Sequence, residues 1–362
     1  MKILHLVQKP QLRGAEMFAS QLGNHLISLG HEVILVFVFP GNATLPFKGQ
    51  IFHLSGKPSR RMFDISAWKN LASIIASEKP DIVQANAGDT LKYAVSSKLL
   101  FRWKQPIVFR NASTISLYIK SKPAQLLHGM YFRHAAKVIS VSNTSARDFI
   151  QLYPSLQSKV ITIPIGIEEP DLMNIKKPTP PPFRLIHVGG FSFEKNHSGL
   201  ISIFGKLIAK GIDARLELVG DGVLMDAVRT QVATAGLADR VTYYGYRKNA
   251  MELIAGADVL LLPSIIEGLP GVILEAFYCK TPVVAYNTGG ISEIVKNNNT
   301  GYLVTKNDEE GFVHAIEQAL IQNNTLTSNA WHLVKQEYTN TGIAKRFAEC
   351  YQLLLSTQTR DN

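Results

Sequence analysis

The chain reads as an α/β protein of two doubly wound domains, and three observations carry that reading. Its 362 residues, 46% apolar and 18% charged, suit two globular domains at roughly 100–200 residues each. Short, near-continuous apolar runs alternate with amphipathic stretches, the pattern of parallel sheets covered on both faces by helices. One stiff segment, Lys176-Lys177-Pro178-Thr179-Pro180-Pro181-Pro182, interrupts the alternation, because proline continues neither a helix nor a central strand.

Taken in order, Lys2–Val7 reads as a buried strand, followed by a loop through Gly14 and an amphipathic helix over 15–29. Gly30 suits the left-handed residue that ends such a helix, and Val33–Phe39 is the next strand. Further strands are expected at 82–84, 107–110, 138–141 and 160–163. After the prolines the alternation restarts. Strands are expected at 184–188, 215–219, 241–243, 259–262 and 282–285, and helices at 198–209, 224–235, 249–255 and 271–277. The expected layout is a first domain over 1–172, a linker over 173–183 and a second domain over 184–340. A final helix at about 341–357 is expected to pack back on the first domain.

Composition excludes several classes. The apolar content rules out a mostly disordered chain. Two cysteines, Cys279 and Cys350, cannot build a disulfide framework, and no Cys/His cluster has zinc spacing. The opening MKILHLVQKP is too short an apolar stretch for a secretory signal, and no run approaches the ~20 residues of a spanning helix. A reducing, cytoplasmic setting is therefore expected. No G-x-G-x-x-G occupies the first strand-to-helix turn of either half, so a nicotinamide dehydrogenase is not indicated.

Charge is unevenly divided. The net charge is +10; residues 1–175 hold 20 Lys+Arg and 10 Asp+Glu, leaving 18 of each for the rest. The basic clusters are interleaved with apolar side chains: Lys57–Phe63, Lys98–Lys104 and Tyr118–Lys122. Such clusters suit an anionic membrane surface. They would also suit nucleic acid, although no recognised binding module is present. For any single cluster, a solvated basic face is the ordinary alternative.

In doubly wound sheets, ligands bind beyond the C-terminal ends of the strands. The strand at 184–188 runs into Gly189, Gly190 and then Lys195, a cation suited to phosphate. The strand at 259–262 runs into Glu267, Gly268, Leu269, Pro270 and Gly271, where a helix carrying Glu275 starts. Gly268 and Gly271 let backbone approach a ligand closely. The unsatisfied N–H groups of the helix start form an anion site. A carboxylate such as Glu267 or Glu275 can hold sugar or ribose hydroxyls; the ordinary role for Glu275 is compensation of the helix dipole.

The segment EGLPGVILEA (Glu267–Ala276) resembles retaining glycosyltransferases of family 4, with its pair of glutamates separated by seven residues. The ordered segments around it are similar too: VGGFSFEKN (Val188–Asn196), LVGDG (Leu218–Gly222), ADRVTYYGYR (Ala238–Arg247), GADVLLLPS (Gly256–Ser264) and TPVVAYNTGGISEIV (Thr281–Val295). RGAE (Arg13–Glu16) and VISVSNTSARDF (Val138–Phe149) resemble first-domain stretches of that family. The resemblance is dense over 184–305 and diffuse before it.

This resemblance implies a GT-B fold, two Rossmann-like domains facing each other across a cleft. It implies retaining, metal-independent transfer of a hexose or N-acetylhexosamine from a UDP- or GDP-sugar to a glycan or lipid-linked acceptor. The expected setting is lipopolysaccharide, capsule or exopolysaccharide synthesis at the inner face of the cytoplasmic membrane. No cofactor and no nucleic-acid partner are expected, and no D-x-D metal clamp occurs. Glu275 would hold the ribose hydroxyls and Glu267 the sugar hydroxyls. Lys195, with backbone N–H groups of Leu269, Gly271 and Val272, would bind the diphosphate, approached also by Gly14. Gly189, Gly190, Gly220 and Gly268 would allow close approach, and backbone near Tyr246 and Arg247 would touch the base. Arg13, Asn86, Arg110 and Asn111 are expected on the acceptor side. Two positions depart from the family: Gly190 stands where an arginine is usual, and Asn111 lies near a usual histidine. An inactive nucleotide-sugar-binding scaffold, or an epimerase of the same fold, is the alternative.

Overall fold

A computed structural model describes residues 1–61, 63–170, 179–321 and 324–358. The chain divides into two compact units, Met1–Glu168 with the chain from Asn340 on, and Glu169–Thr339. The units divide at 168/169, and residues 171–178, which hold the expected boundary at 172 and most of the expected 173–183 linker, lie outside the described residues.

The first unit holds a seven-stranded parallel sheet. Its strands are β1 (Lys2–Val7), β2 (Glu32–Phe37), β3 (Gln50–His53), β4 (Ile82–Ala85), β5 (Ile107–Asn111), β6 (Ala135–Ser140) and β7 (Val160–Thr162), in the order β3-β2-β1-β4-β5-β6-β7. Register is set by pairs such as His5 with Gln84 and Gln84 with Val108. One face is covered by helices 65–78, 88–101, 122–133 and 143–152, around Trp68, Tyr93, Phe132 and Phe149. The other carries helix Gly14–Ser28, whose Phe18, Leu22 and Leu26 pack with Ile343, Phe347 and Tyr351 of helix Asn340–Gln358. That last helix belongs to the first unit. Local chemistry fixes the helix ends. Gly30 takes the left-handed φ of 85° after the first helix, and Asp64 caps helix 65–78 by accepting from the Ala67 N–H at 3.2 Å.

The second unit holds β8 (Phe183–Val188), β9 (Ala214–Val219), β10 (Val241–Gly245), β11 (Val259–Leu262), β12 (Val283–Tyr286) and β13 (Tyr302–Val304), all parallel, in the order β10-β9-β8-β11-β12-β13. Helices 197–209, 225–234 and 309–320 cover one face around Leu200, Phe204, Leu216 and Phe312. The two sheets repeat one winding. Each starts in the middle, grows to one edge, then returns across the first strand. The direction reverses between β1 and β4 and again between β8 and β11, and at such points loops splay apart and leave a crevice.

Candidate active site

The switch point of the second sheet gathers the chemistry. Strands β8 and β11 are neighbours, pairing Leu185 with Val259 and Ile186 with Leu260, so the loops that follow them leave the sheet side by side. Two hydrogen bonds tie those loops. Ile265 N–H donates to the Glu194 carbonyl at 2.8 Å, and Asn196 Nδ2 donates to the Pro263 carbonyl at 3.1 Å. Across them Lys195 Nζ meets Glu267 Oε1 at 2.5 Å, with side chains 22% and 9% exposed. Two loop residues 72 apart in sequence therefore form one charged pair.

Glycines shape the floor of this loop pair. A Cβ on Gly189 would crowd Lys195 Cδ at 3.2 Å and His187 Nε2 at 3.1 Å, so its absence makes room for the lysine stem. Gly220 follows β9 with φ +139°, and a Cβ there would overlap the Gly189 carbonyl. Gly190 is exposed, with nothing nearer its Cβ position than the Asp221 carbonyl at 3.5 Å. No compensating cation stands within hydrogen-bond reach of the Lys195–Glu267 pair among the described residues. Arg247 is exposed and lies over the Tyr244 ring at 5.8 Å. Tyr246, 43% exposed, stands beside it on the loop after edge strand β10.

The helix Gly271–Tyr278 opens on Pro270 with no side-chain cap. The N–H groups of Gly271 and Val272 are thus at a bare helix start, where backbone dipoles favour an anion. Leu269 is buried, and Gly268 accepts from the Gly290 N–H at 2.7 Å. Glu275 lies one turn inside this helix, and its carboxylate meets no protein donor among the described residues. Desolvation pushes that carboxyl up to about 7. A partly buried carboxylate with no partner is a ready acceptor for hydroxyl groups. Among the described residues, no group of three or more His, Cys, Asp or Glu could hold a metal ion.

Several supporting residues carry no signal in the sequence reading. Gly289 has φ +56°, and a Cβ there would overlap the Glu267 carbonyl oxygen. With Thr288 Oγ1 donating to the Ile265 carbonyl at 3.1 Å, the turn after β12 braces the glutamate loop from behind. Beneath Lys195 lie two buried histidines. His187 and His197 rings meet edge-on at 4.7 Å, and His197 stacks on Phe191 at 4.0 Å. Burial lowers His197 to about 4 and holds His187 well below the ordinary imidazole value, so both are neutral near pH 7. Nδ1 of His187 lies 2.9 Å from the Leu261 carbonyl, which fixes the proton on that nitrogen.

In the first unit, Arg13 and Gly14 are exposed at the uncapped start of helix Gly14–Ser28. The other residues expected on the acceptor side are interior groups. Asn86, Arg110 and Asn111 are 2%, 3% and 2% exposed. Asn86 Nδ2 donates to the Leu6 carbonyl and Oδ1 accepts from Gln84. Asn111 Nδ2 donates to Ser140 Oγ and the Ser145 carbonyl. Arg110 lies over the Phe18 ring at 4.3 Å, and burial lowers its pKa to about 10. Asn86 thus ties β4 to β1, and Asn111 ties β5 to β6 and to helix 143–152.

Comparison with known proteins fits this architecture. A family model described as glycosyl transferases group 1 matches residues 169–331, and one described as Glycosyltransferase Family 4 matches residues 12–169. They meet where the two compact units divide. The N-acetyl-alpha-D-glucosaminyl L-malate synthase of Bacillus anthracis is 29% identical over 178 residues, 49% of this chain and 46% of that enzyme. An Escherichia coli UDP-Gal:alpha-D-GlcNAc-diphosphoundecaprenol alpha-1,3-galactosyltransferase is 34% identical over 105 residues, 29% of this chain and 27% of that one. The matched stretches span less than half of either relative. The crystal structure of Anabaena HepE in complex with UDP and glucose superposes at TM-score 0.80 and 21% identity, covering 97% of this chain and 99% of that one, which is a likeness of fold. With both units matched and both sheets wound in one order, the chain belongs to the family 4 glycosyltransferases and has the GT-B fold.

Proposed function

We propose that this protein is a retaining, metal-independent glycosyltransferase. It moves a hexose or N-acetylhexosamine from a UDP- or GDP-sugar to a glycan or lipid-linked acceptor in cell-surface polysaccharide synthesis. The carrying observation is the Lys195–Glu267 pair at the switch point, beside a bare helix start and the unpartnered Glu275 carboxylate. Donor binding would exchange partners within this set. The diphosphate takes the Lys195 ammonium and the N–H groups of Leu269, Gly271 and Val272; Pro270 has no N–H to give. Glu267, released from Lys195, accepts from sugar hydroxyls, and Glu275 accepts from the ribose.

The slow event is departure of the nucleoside diphosphate. Lys195 and the helix start stabilise the charge that develops on its phosphate, as an oxyanion hole does. The acceptor attacks from the leaving-group side, and a phosphate oxygen takes its proton. Glu267 and Glu275 are not the acid–nucleophile pair of a glycosidase, because both are assigned to holding hydroxyls. A donor of this class is supported by the UDP and glucose in the HepE structure. A lipid-linked acceptor is supported by the diphosphoundecaprenol substrate of the Escherichia coli relative and by the +10 charge of residues 1–175. That charge also supports a peripheral place at the inner face of the cytoplasmic membrane.

Thermal melts with UDP, GDP, ADP, CMP and their sugars, in EDTA, test the donor site. At about 100 times Kd, a bound nucleotide adds roughly 2.7 kcal/mol, and Glu275→Ala should shrink the shift. Stabilisation by one nucleotide family supports the reading and identifies the base for acceptor assays. No shift with any nucleotide overturns it. The exposed Gly190, at a position where the family usually has arginine, favours a second reading as a nucleotide-sugar-binding scaffold. A thermal shift with no turnover of donor on any acceptor would select it.

A further inference from the structure

Helix Lys122–Arg133 is built the wrong way round for a helix that faces only water. Its inner side is anchored: Phe132 is 2% exposed and meets the rings of Phe109, Phe149 and Tyr153 at 5.0–5.2 Å. Gly129 lets Tyr153 approach, since a Cβ there would meet its ring at 3.1 Å. The outer side is apolar. Leu126 is 72% exposed, Met130 62% and Leu127 38%. These positions share one face of a helix, where a water-facing helix normally sets charge.

Cations stand at both ends of that stripe, and on its inner side a carboxylate, Asp89, faces His128 together with Lys92. Lys120, Lys122 and Arg133 are exposed at its two ends. Residues 90–147, which include this helix, hold 10 Lys and Arg and no Asp or Glu. We infer that this face docks on an anionic lipid leaflet, with Leu126, Leu127 and Met130 seated at the headgroup–acyl boundary and the three cations on the headgroups. Aliphatic side chains gain when they leave water for acyl chains, while each Lys or Arg near an anionic surface adds attraction. A nucleic acid would satisfy the cations and leave Leu126 and Met130 in water. A second copy across a two-fold axis would set this cationic surface against itself. The inference deepens the lipid-linked-acceptor reading and rests on it for its biological sense. Vesicle binding is measured with no sugar donor present, so either can fail without the other.

The test is co-sedimentation of the full chain with vesicles of phosphatidylcholine alone, or mixed with phosphatidylglycerol, at low and high salt. Nucleotide thermal shifts are run on the same preparations. The expected result is binding to the mixed vesicles only, weakened by salt. Leu126→Ser with Met130→Ser should lower the partition coefficient by about tenfold or more. Lys120→Glu with Lys122→Glu should lower it comparably, and Ile321→Ser, an exposed apolar residue of the other unit, should leave it unchanged. All variants should melt as the wild type does. Absence of binding to mixed vesicles overturns the inference, as does binding that survives the Leu126/Met130 change. So does a dimer in solution that this double change dissolves, or tight binding of a random oligonucleotide with none of vesicles.

Discussion

The Lys195–Glu267 contact makes the sharpest demand on single residues. Lys195→Ala removes the cation that the leaving diphosphate requires and strands Glu267, so kcat should fall by about 100-fold or more, as when an oxyanion donor is deleted. Donor turnover in EDTA measures it, and near-normal turnover would take Lys195 out of this role. Glu275 gives a test of opposite kind, read in stability. Burial raises its carboxyl to about 7, so the folded protein holds that proton more tightly than the unfolded chain does. The stabilisation is complete below the ordinary carboxyl range and is lost as pH rises through about 7. Glu275→Gln should therefore melt higher than wild type near pH 8, by roughly 2–3 kcal/mol, with the gap closing towards about pH 4. The buried histidines act the other way. His5 and His197 are lowered to about 4, so their contribution is complete above about 6.5 and lost as pH falls through about 4. Differencing the variant against wild type across pH separates the two; a gap that does not grow with pH would contradict the buried-carboxyl assignment.

At the scale of elements, the brace behind Glu267 is the vulnerable part. Gly289→Ala places a methyl group on the Glu267 carbonyl in a left-handed backbone. The turn after β12 or the glutamate loop must then move, at a cost of about 1–3 kcal/mol. Nucleotide-induced stabilisation should be lost in greater proportion than basal stability, because the shifted atoms belong to the site; equal losses would make Gly289 merely structural. This brace also marks where sequence stops being legible. Strands such as β1, β8 and β11 are readable because a strand buried on both faces is a continuous apolar run. The edge strand β3, Gln-Ile-Phe-His with three of its four residues exposed, and the three-residue β13 carry no such signal. The site divides in the same way. Lys195, Glu267 and Glu275 stand out through their places in ordered motifs. That Glu267 rests on Lys195, and that Gly289 presses on Glu267, are long-range contacts with no trace in spacing. Asn86, Arg110 and Asn111 draw notice in the sequence because a polar residue at a strand end suggests an open crevice. In the structure all three are buried: Asn86 and Asn111 bond inward, and Arg110 lies over the Phe18 ring.

For the whole molecule, the chain's return to its first unit decides whether that unit can fold. Helix Asn340–Gln358 buries Ile343, Phe347, Tyr351 and Leu354 in the cluster built on Phe18, Leu22 and Leu26. Tyr351 Oη donates to Gln84 Oε1, deep under the sheet. The helix starts where the chain is tied down: Asn340 N–H donates to the Ile167 carbonyl at 3.0 Å, and Asn340 Nδ2 to Glu168 Oε1 at 2.8 Å. Four large side chains at about 1.5–3 kcal/mol each rival the 5–15 kcal/mol that separates folded from unfolded domains. The loss also strands Gln84, a buried amide bonded to Asn86, without its tyrosine. A chain ending at Thr339 should therefore leave the first unit open to proteolysis, while residues 169–339, whose sheet and cores are their own, keep a cooperative melt. Phe347→Ala in the full chain should cost about 3–5 kcal/mol in the transition assigned to the first unit and little in the other. Limited proteolysis with calorimetry reads both variants. A truncated chain whose first unit resists protease like the wild type would mean that helix 14–28 and its sheet are stable without the return helix.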